Sequence, residues 1–165
     1  MKRKRSFRHA QAGFSLTELL IVVAIIGILA AVAVPRFLKT LETGRESAAI
    51  QSLRTIHNSQ AQYQAQKQRF GTLKELNEAG QIDLNYANGS PVSGYMYTSA
   101  AEVTQDKYCV QATRQAPSTA SRDFNVIEDG TVRYVETKSP GPIPHGEGTP
   151  LAGAGGAAGS GTSSK

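Results

Sequence analysis

Several absences bound this chain before any motif is read. Among its 165 residues there is one cysteine, Cys109, and no tryptophan. A single cysteine excludes an internal disulfide and any zinc site built on several thiolates. Hydrophobic residues make up 39% of the chain, too few for several membrane spans. Aromatic residues are only 7%, and Phe14, Phe37, Tyr63 and Phe70 form no continuous stripe, so they read as packing residues rather than an electron path. The first 13 residues hold no acid. They do hold Lys2, Arg3, Lys4, Arg5 and Arg8, five of the chain's 18 basic residues. The remaining 13 basic residues are matched by 13 acidic ones, so the formal charge of +5 belongs wholly to the leader. Residues 14–165 therefore exert no overall pull on a polyanion.

What is present falls into four regions. Residues 1–13 are basic and polar. Residues 14–34, FSLTELLIVVAIIGILAAVAV, are almost wholly apolar. As a helix they extend roughly 32 Å, about the thickness of a bilayer core. The basic flank places the N-terminus on the cytoplasmic side. Residues 35–138 have a mixed, globular composition. Residues 139–165 contain eight Gly and four Pro with few large apolar side chains, which predicts a disordered tail.

Beyond Pro35, the residues Leu38, Leu41, Ala49, Leu53, Ile56 and Tyr63 recur at threes and fours between polar positions. This spacing predicts an amphipathic helix running to about Arg69 and stopped by Gly71. It is nearly continuous with the apolar helix, so Pro35 lies inside a helix of some 55 residues and is expected to kink it. Gly27 is a second weak point. Thr72 and Glu75 have capping-box spacing ahead of a short helix over 72–79, with Leu73 and Leu76 inward. Residues 80–93 read as a loop with an Asn88-Gly89 turn. Strands are expected at Tyr95–Ser99, Lys107–Thr113, Asp123–Ile127 and Thr131–Glu136. In the second, Tyr108, Val110 and Ala112 alternate with Cys109, Gln111 and Thr113. Asp129-Gly130 between the last two is a hairpin signal. The expected fold is α+β: a long N-terminal helix packed on a small antiparallel sheet of about four strands.

Catalytic chemistry finds no support in this pattern. His9, His57 and His145 fall in three different regions, and His57 reads as a surface or subunit-contact residue. Cys109 reads as a buried small hydrophobe with no histidine to activate it. No phosphate-binding loop, cofactor motif or metal-ligand set appears. Glu128 and Asp129 are explained by the turn.

The most informative residues lie at the leader junction: Gly13-Phe14-Ser15-Leu16-Thr17-Glu18. A secretory signal carries its cleavage site after the apolar stretch; here a glycine precedes it. Basic leader, Gly13, Phe14, Glu18, an unbroken apolar run and Pro35, in that order, resemble the type IV pilin and pseudopilin family. The resemblance implies that prepilin peptidase cleaves between Gly13 and Phe14, that Phe14 becomes the N-methylated mature N-terminus, and that Glu18 serves assembly. It also implies bending or melting of the helix near Pro35 in a filament. Its implied partners are further copies of the chain, other pilin-like subunits, the peptidase/methyltransferase, an assembly ATPase and an inner-membrane platform. The implied location is the inner membrane by a single span with an extracytoplasmic head, then a filament. Two departures stand out. The family's frequent C-terminal cysteine pair is missing, and so is the acidic calcium-loop pattern of the major type II secretion pseudopilin. The latter places a pilus subunit ahead of a secretion pseudopilin.

Two other classes compete. Ala31-Val32-Ala33 is a signal-peptidase-like site that would release a soluble domain starting at Val34. Glu18 inside the apolar run, and the length of that run, argue against it. An uncleaved anchor carrying a binding module is the second. Arg45, Arg54, Lys107, Arg114, Arg122, Arg133 and Lys138 are candidates for a DNA-binding patch. Interspersed acids and the neutral balance of residues 14–165 argue against nucleic acid as a partner.

Overall fold

A computed structural model describes residues 14–100 and 103–151. The leader with Gly13, and residues 152–165 of the expected tail, lie outside them. The chain divides into two compact units, 1–39 and 40–165. One helix, α1 (Leu16–Lys67), contributes to both. It is continuous through Gly27 and Pro35.

In the first unit, the helix is predominantly apolar and is not covered by any other described residues: Leu19, Ile21, Val23, Ile26 and Leu29 are all exposed. In the second unit, α1 becomes amphipathic. Ala49, Leu53, Ile56 and Tyr63 are buried, as their spacing predicts. Leu38 and Leu41 depart from that expectation, at 57% and 40% exposure. The buried stripe of the helix begins only at Ala49.

The helix stops differently from the expectation as well. Its last turn is closed by Gln68, which takes a left-handed φ of 56° while its N–H reaches Gln64 O at 2.8 Å. Gly71 serves close packing instead. A Cβ there would meet the Tyr63 ring at 2.9 Å. The buried amide of Gln60 accepts from Gly71 N at 3.0 Å and donates to Gly71 O at 2.6 Å. These bonds satisfy both main-chain polar groups of a buried residue, the condition under which burial is tolerated.

Helix α2 (Leu73–Glu78) starts at the expected capping box, with Thr72 and Glu75 bonded reciprocally. Leu73 and Leu76 point into the core. The Arg69 guanidinium beside Glu75 holds that carboxyl down at about 2. The expected loop over 80–93 contains a further helical turn, α3 (Leu84–Ala87), because Asp83 caps it by accepting from Asn85 N at 2.8 Å.

Five strands follow in simple antiparallel order: β1 (Tyr95–Ser99), β2 (Cys109–Arg114), β3 (Arg122–Ile127), β4 (Val132–Glu136) and β5 (Thr149–Pro150). The first four match the expected strands within two residues. At the β3–β4 turn, Gly130 adopts a φ of 71° and Asp129 accepts from Thr131 N at 2.8 Å, so the Asp-Gly signal is realised. Tyr95, Tyr97, Val110, Phe124, Val126 and Val132 join the helix residues in one core.

The outer face of the sheet corrects two expectations. Alternation sets Gln111 on the face away from Val110 and Ala112, yet it is buried; Cys109, on the same face, is buried as expected. What covers Gln111 is the first part of the expected disordered tail. Ile143 is buried, Gln111 Nε2 donates to Ile143 O at 2.8 Å, and Asn125 Nδ2 donates to Pro144 O at 3.1 Å and Glu147 O at 3.3 Å. Residues 139–151 are thus ordered against the sheet and supply β5. Composition misled here because the sheet, rather than the segment's own side chains, provides most of the bonds. Four prolines over 140–150 also lower the entropy lost on ordering.

Candidate assembly site

The site singled out by sequence is the start of α1. Ser15 O accepts from Leu19 N at 3.1 Å, so the helix is formed from its first residues. Phe14 precedes it and is 83% exposed. Glu18 lies in the first turn, where an acid favours the positive end of the helix dipole by roughly 0.3–1 kcal/mol. Glu18 is also exposed, and Leu19, Leu20 and Ile21 follow it at once. A carboxylate set in such an apolar helix costs free energy wherever that helix enters lipid or a protein core without a counter-charge.

Gly27 meets nothing within 4 Å of where its Cβ would lie. No packing among the described residues therefore demands glycine here. A small residue on a bare apolar helix permits another helix to approach closely. By length and composition, the apolar part of α1 is sufficient to cross a membrane. The missing N–H of Pro35 removes the bond to Ala31 O that another residue would make.

The head carries no comparable chemistry. Among the described residues no group of three or more His, Cys, Asp or Glu is placed to hold a metal ion. Cys109 is buried, and burial pushes its thiol up to about 11, the reverse of an activated nucleophile. Four of the seven candidates for a basic patch are engaged within the head. Arg114 is only 2% exposed and donates to Thr137 O and Oγ1. Arg122 lies 3.7 Å from Glu46 and 3.9 Å from Glu136. Arg133 pairs with Asp129, and Arg45 donates to Thr119 O. These side chains brace the head.

His57 is a correction too. It is half-buried at the seam between α1 and the sheet, with Nδ1 2.6 Å from the Tyr108 hydroxyl. A Cβ on Gly130 would come within 2.7 Å of its Nε2. Burial lowers the His57 pKa, against a smaller opposing pull from Asp129. A base with a lowered folded pKa stabilises the fold fully above its unfolded value of about 6.5, and that contribution is lost as pH falls through the folded value. The melting temperature of the head should therefore begin to drop below about pH 6.5, ahead of the carboxylates, and the drop should shrink in His57→Gln. Thermal melts of both proteins between pH 7.5 and 5 check this.

Comparison with known proteins bears on the same residues. The family model for the prokaryotic N-terminal methylation motif matches residues 8–34, which include Phe14 and Glu18. The chain is also 40% identical over 78 residues to the type IV major pilin protein PilA of Myxococcus xanthus. The chain is thus similar to type IV pilins, most specifically in its N-terminal methylation motif. The aligned stretch covers 47% of this chain and 34% of the relative, so the chain spans about a third of the length of the protein it matches.

Sequence reading missed several side chains that position the head: Gln60, which binds Gly71; buried Arg114 beside Asp123 at 4.0 Å; and Asn125 under the C-terminal segment. A glutamine in line with Leu53, Ile56 and Tyr63 is the one signal that was available, since a polar residue on a buried stripe requires a partner.

Proposed function

We propose that this chain is a structural subunit of a type IV pilus, made as a precursor and assembled through its N-terminal helix. In this reading, prepilin peptidase removes residues 1–13 and the new N-terminus at Phe14 is N-methylated. The subunit sits in the inner membrane with its head outside the cytoplasm, then polymerises with the apolar helix inward. Assembly ATPases and a membrane platform supply the work, and the subunit itself performs no catalysis. The observation that carries the reading is the coincidence, at one helix end, of the methylation motif, Glu18 in the first turn and an apolar surface that no other described residue covers.

Glu18 acts on register. Cleavage creates a cationic amine on Phe14, four residues before the carboxylate. Staggered subunits bring the amine of one against the Glu18 of the next, and any other register buries a charge alone, which is strongly unfavourable. The general attraction comes from the apolar side chains, with Gly27 and the alanines allowing close contact. Pro35 marks where the helix is easiest to bend, since the bond to Ala31 O is absent. A type II secretion pseudopilin is the alternative. The similarity to a major pilin favours the pilus.

Mass spectrometry of the mature N-terminus, on protein taken from its host, tests the reading. The expected result is a chain beginning at N-methylated Phe14. A start at Val34 would indicate a secreted soluble domain, and an intact leader an ordinary membrane anchor. Either result would remove the assembly role.

A further inference from the structure

The last turn of the first unit carries two cations that assembly through the apolar side chains leaves without a task. Between Glu18 and Glu42 there is no acid, and the only charged residues are Arg36 and Lys39. They flank Phe37 and Leu38 in the same unbroken helix. All four are exposed, Phe37 at 62% and Leu38 at 57%. A helix turns about 100° per residue, so Arg36 and Lys39 lie on one side of this turn and Phe37 and Leu38 on the other. Water is a poor partner for such a turn, since two large apolar side chains stay bare in it.

We propose that Arg36, Phe37, Leu38 and Lys39 form a phospholipid-headgroup site that seats the outer end of the span, with the two cations on the phosphates of anionic lipid. The inference rests on the membrane reading given above. From Leu16 to Val34 the helix rises roughly 28 Å, close to the hydrocarbon thickness of about 30 Å. Arg36 to Lys39 then lie at the level of the headgroups, where Lys and Arg side chains fix the seating of a span. Phe37 and Leu38 enter the acyl boundary, while the stems of Arg36 and Lys39 reach outward to phosphate oxygens. Both cations also interact within the chain. A guanidinium has five N–H donors and an ammonium three, so those contacts leave donors for a phosphate.

Orientation explains why a ligand is needed at this end. Lys and Arg are normally in excess on the cytoplasmic side, and the five leader cations meet that rule. Arg36 and Lys39 sit at the opposite end of the apolar run and work against it. An anionic lipid surface offsets this, because it attracts each nearby cation over a distance of about one Debye length, about 8 Å at physiological salt. Arg36 contributes the larger share, since its planar fork grips two phosphate oxygens where the Lys39 ammonium acts as a point charge.

Reconstitution of the full chain in vesicles of phosphatidylcholine and phosphatidylglycerol tests this. Spin-labelled forms of the two lipids, added in turn at trace level, report how much of each is held at the protein surface. The preference for phosphatidylglycerol should be about threefold weaker in Arg36→Gln/Lys39→Gln than in the unmodified chain at low ionic strength. The gap should close in about 1 M salt. Lys67→Gln/Lys74→Gln removes the same charge from two exposed positions of the head and should keep the preference. The leader cations are common to all three proteins. Equal preference in Arg36→Gln/Lys39→Gln and the unmodified chain would overturn the site. An equal loss in Lys67→Gln/Lys74→Gln would overturn it too, because the response would then be to net charge alone. A chain that washes off the vesicles at alkaline pH would overturn the membrane reading, and this inference with it.

Discussion

Leu53→Ala or Ile56→Ala should each lower the stability of the head by about 2–5 kcal/mol. Both side chains are fully buried and belong to the cluster that joins α1 to the sheet. Truncation removes apolar contact and leaves a cavity, and a head of about a hundred residues has little stability to spare. At about 4–8 °C per kcal/mol for a domain of this size, the melting temperature should fall by about 8–40 °C. Near-UV circular dichroism reports on the right unit, because all six tyrosines lie between residues 63 and 134, outside the first 39. Leu41→Ala supplies the contrast. Its side chain is largely free of the core, so the melt should shift by only a few degrees. A small shift for Leu53 and a large one for Leu41 would mean that the helix presents a different face to the sheet.

Some of this architecture was legible because its causes are local. The capping box needs only Thr72 and Glu75 three residues apart, and the β3–β4 turn needs only Asp129-Gly130. The buried helix stripe follows from spacing within α1. What was hidden depends on residues distant in sequence. The burial of Gln111 requires Ile143, 32 positions away. Arg114 reads as a surface cation until Thr137 is placed beside it, 23 positions on. The order of 139–151 is a property of the sheet face that receives it, so composition alone pointed to disorder. Leu41 shows the opposite error: its spacing fits the core stripe, but the stripe begins at Ala49. The proposed assembly site rests on contiguous residues at the leader junction, so its reading depends on no distant contact.

Glu18→Ala separates the proposed assembly role from simple helix stabilisation. In this variant cleavage after Gly13 should persist, because the junction residues Gly13 and Phe14 are unchanged. Loss of a favourable first-turn acid costs at most about 1 kcal/mol, and a helix this long remains formed. Assembly is a different matter. If the Phe14 amine of a neighbour is paired with Glu18 in the filament core, removing the carboxylate leaves that amine buried alone, at about 3–5 kcal/mol. Incorporation should then fall by two orders of magnitude or more at each site the variant occupies. The measurement is the share of tagged Glu18→Ala subunits in sheared filaments, compared with their share in the membrane pool of a strain that also makes the unmodified chain. Glu18→Asp should fall between the two, since it keeps the charge but shortens the reach. Equal shares in filament and membrane would leave Glu18 with a helix-end role alone, and the register would have to be set by the shapes of the apolar side chains along α1.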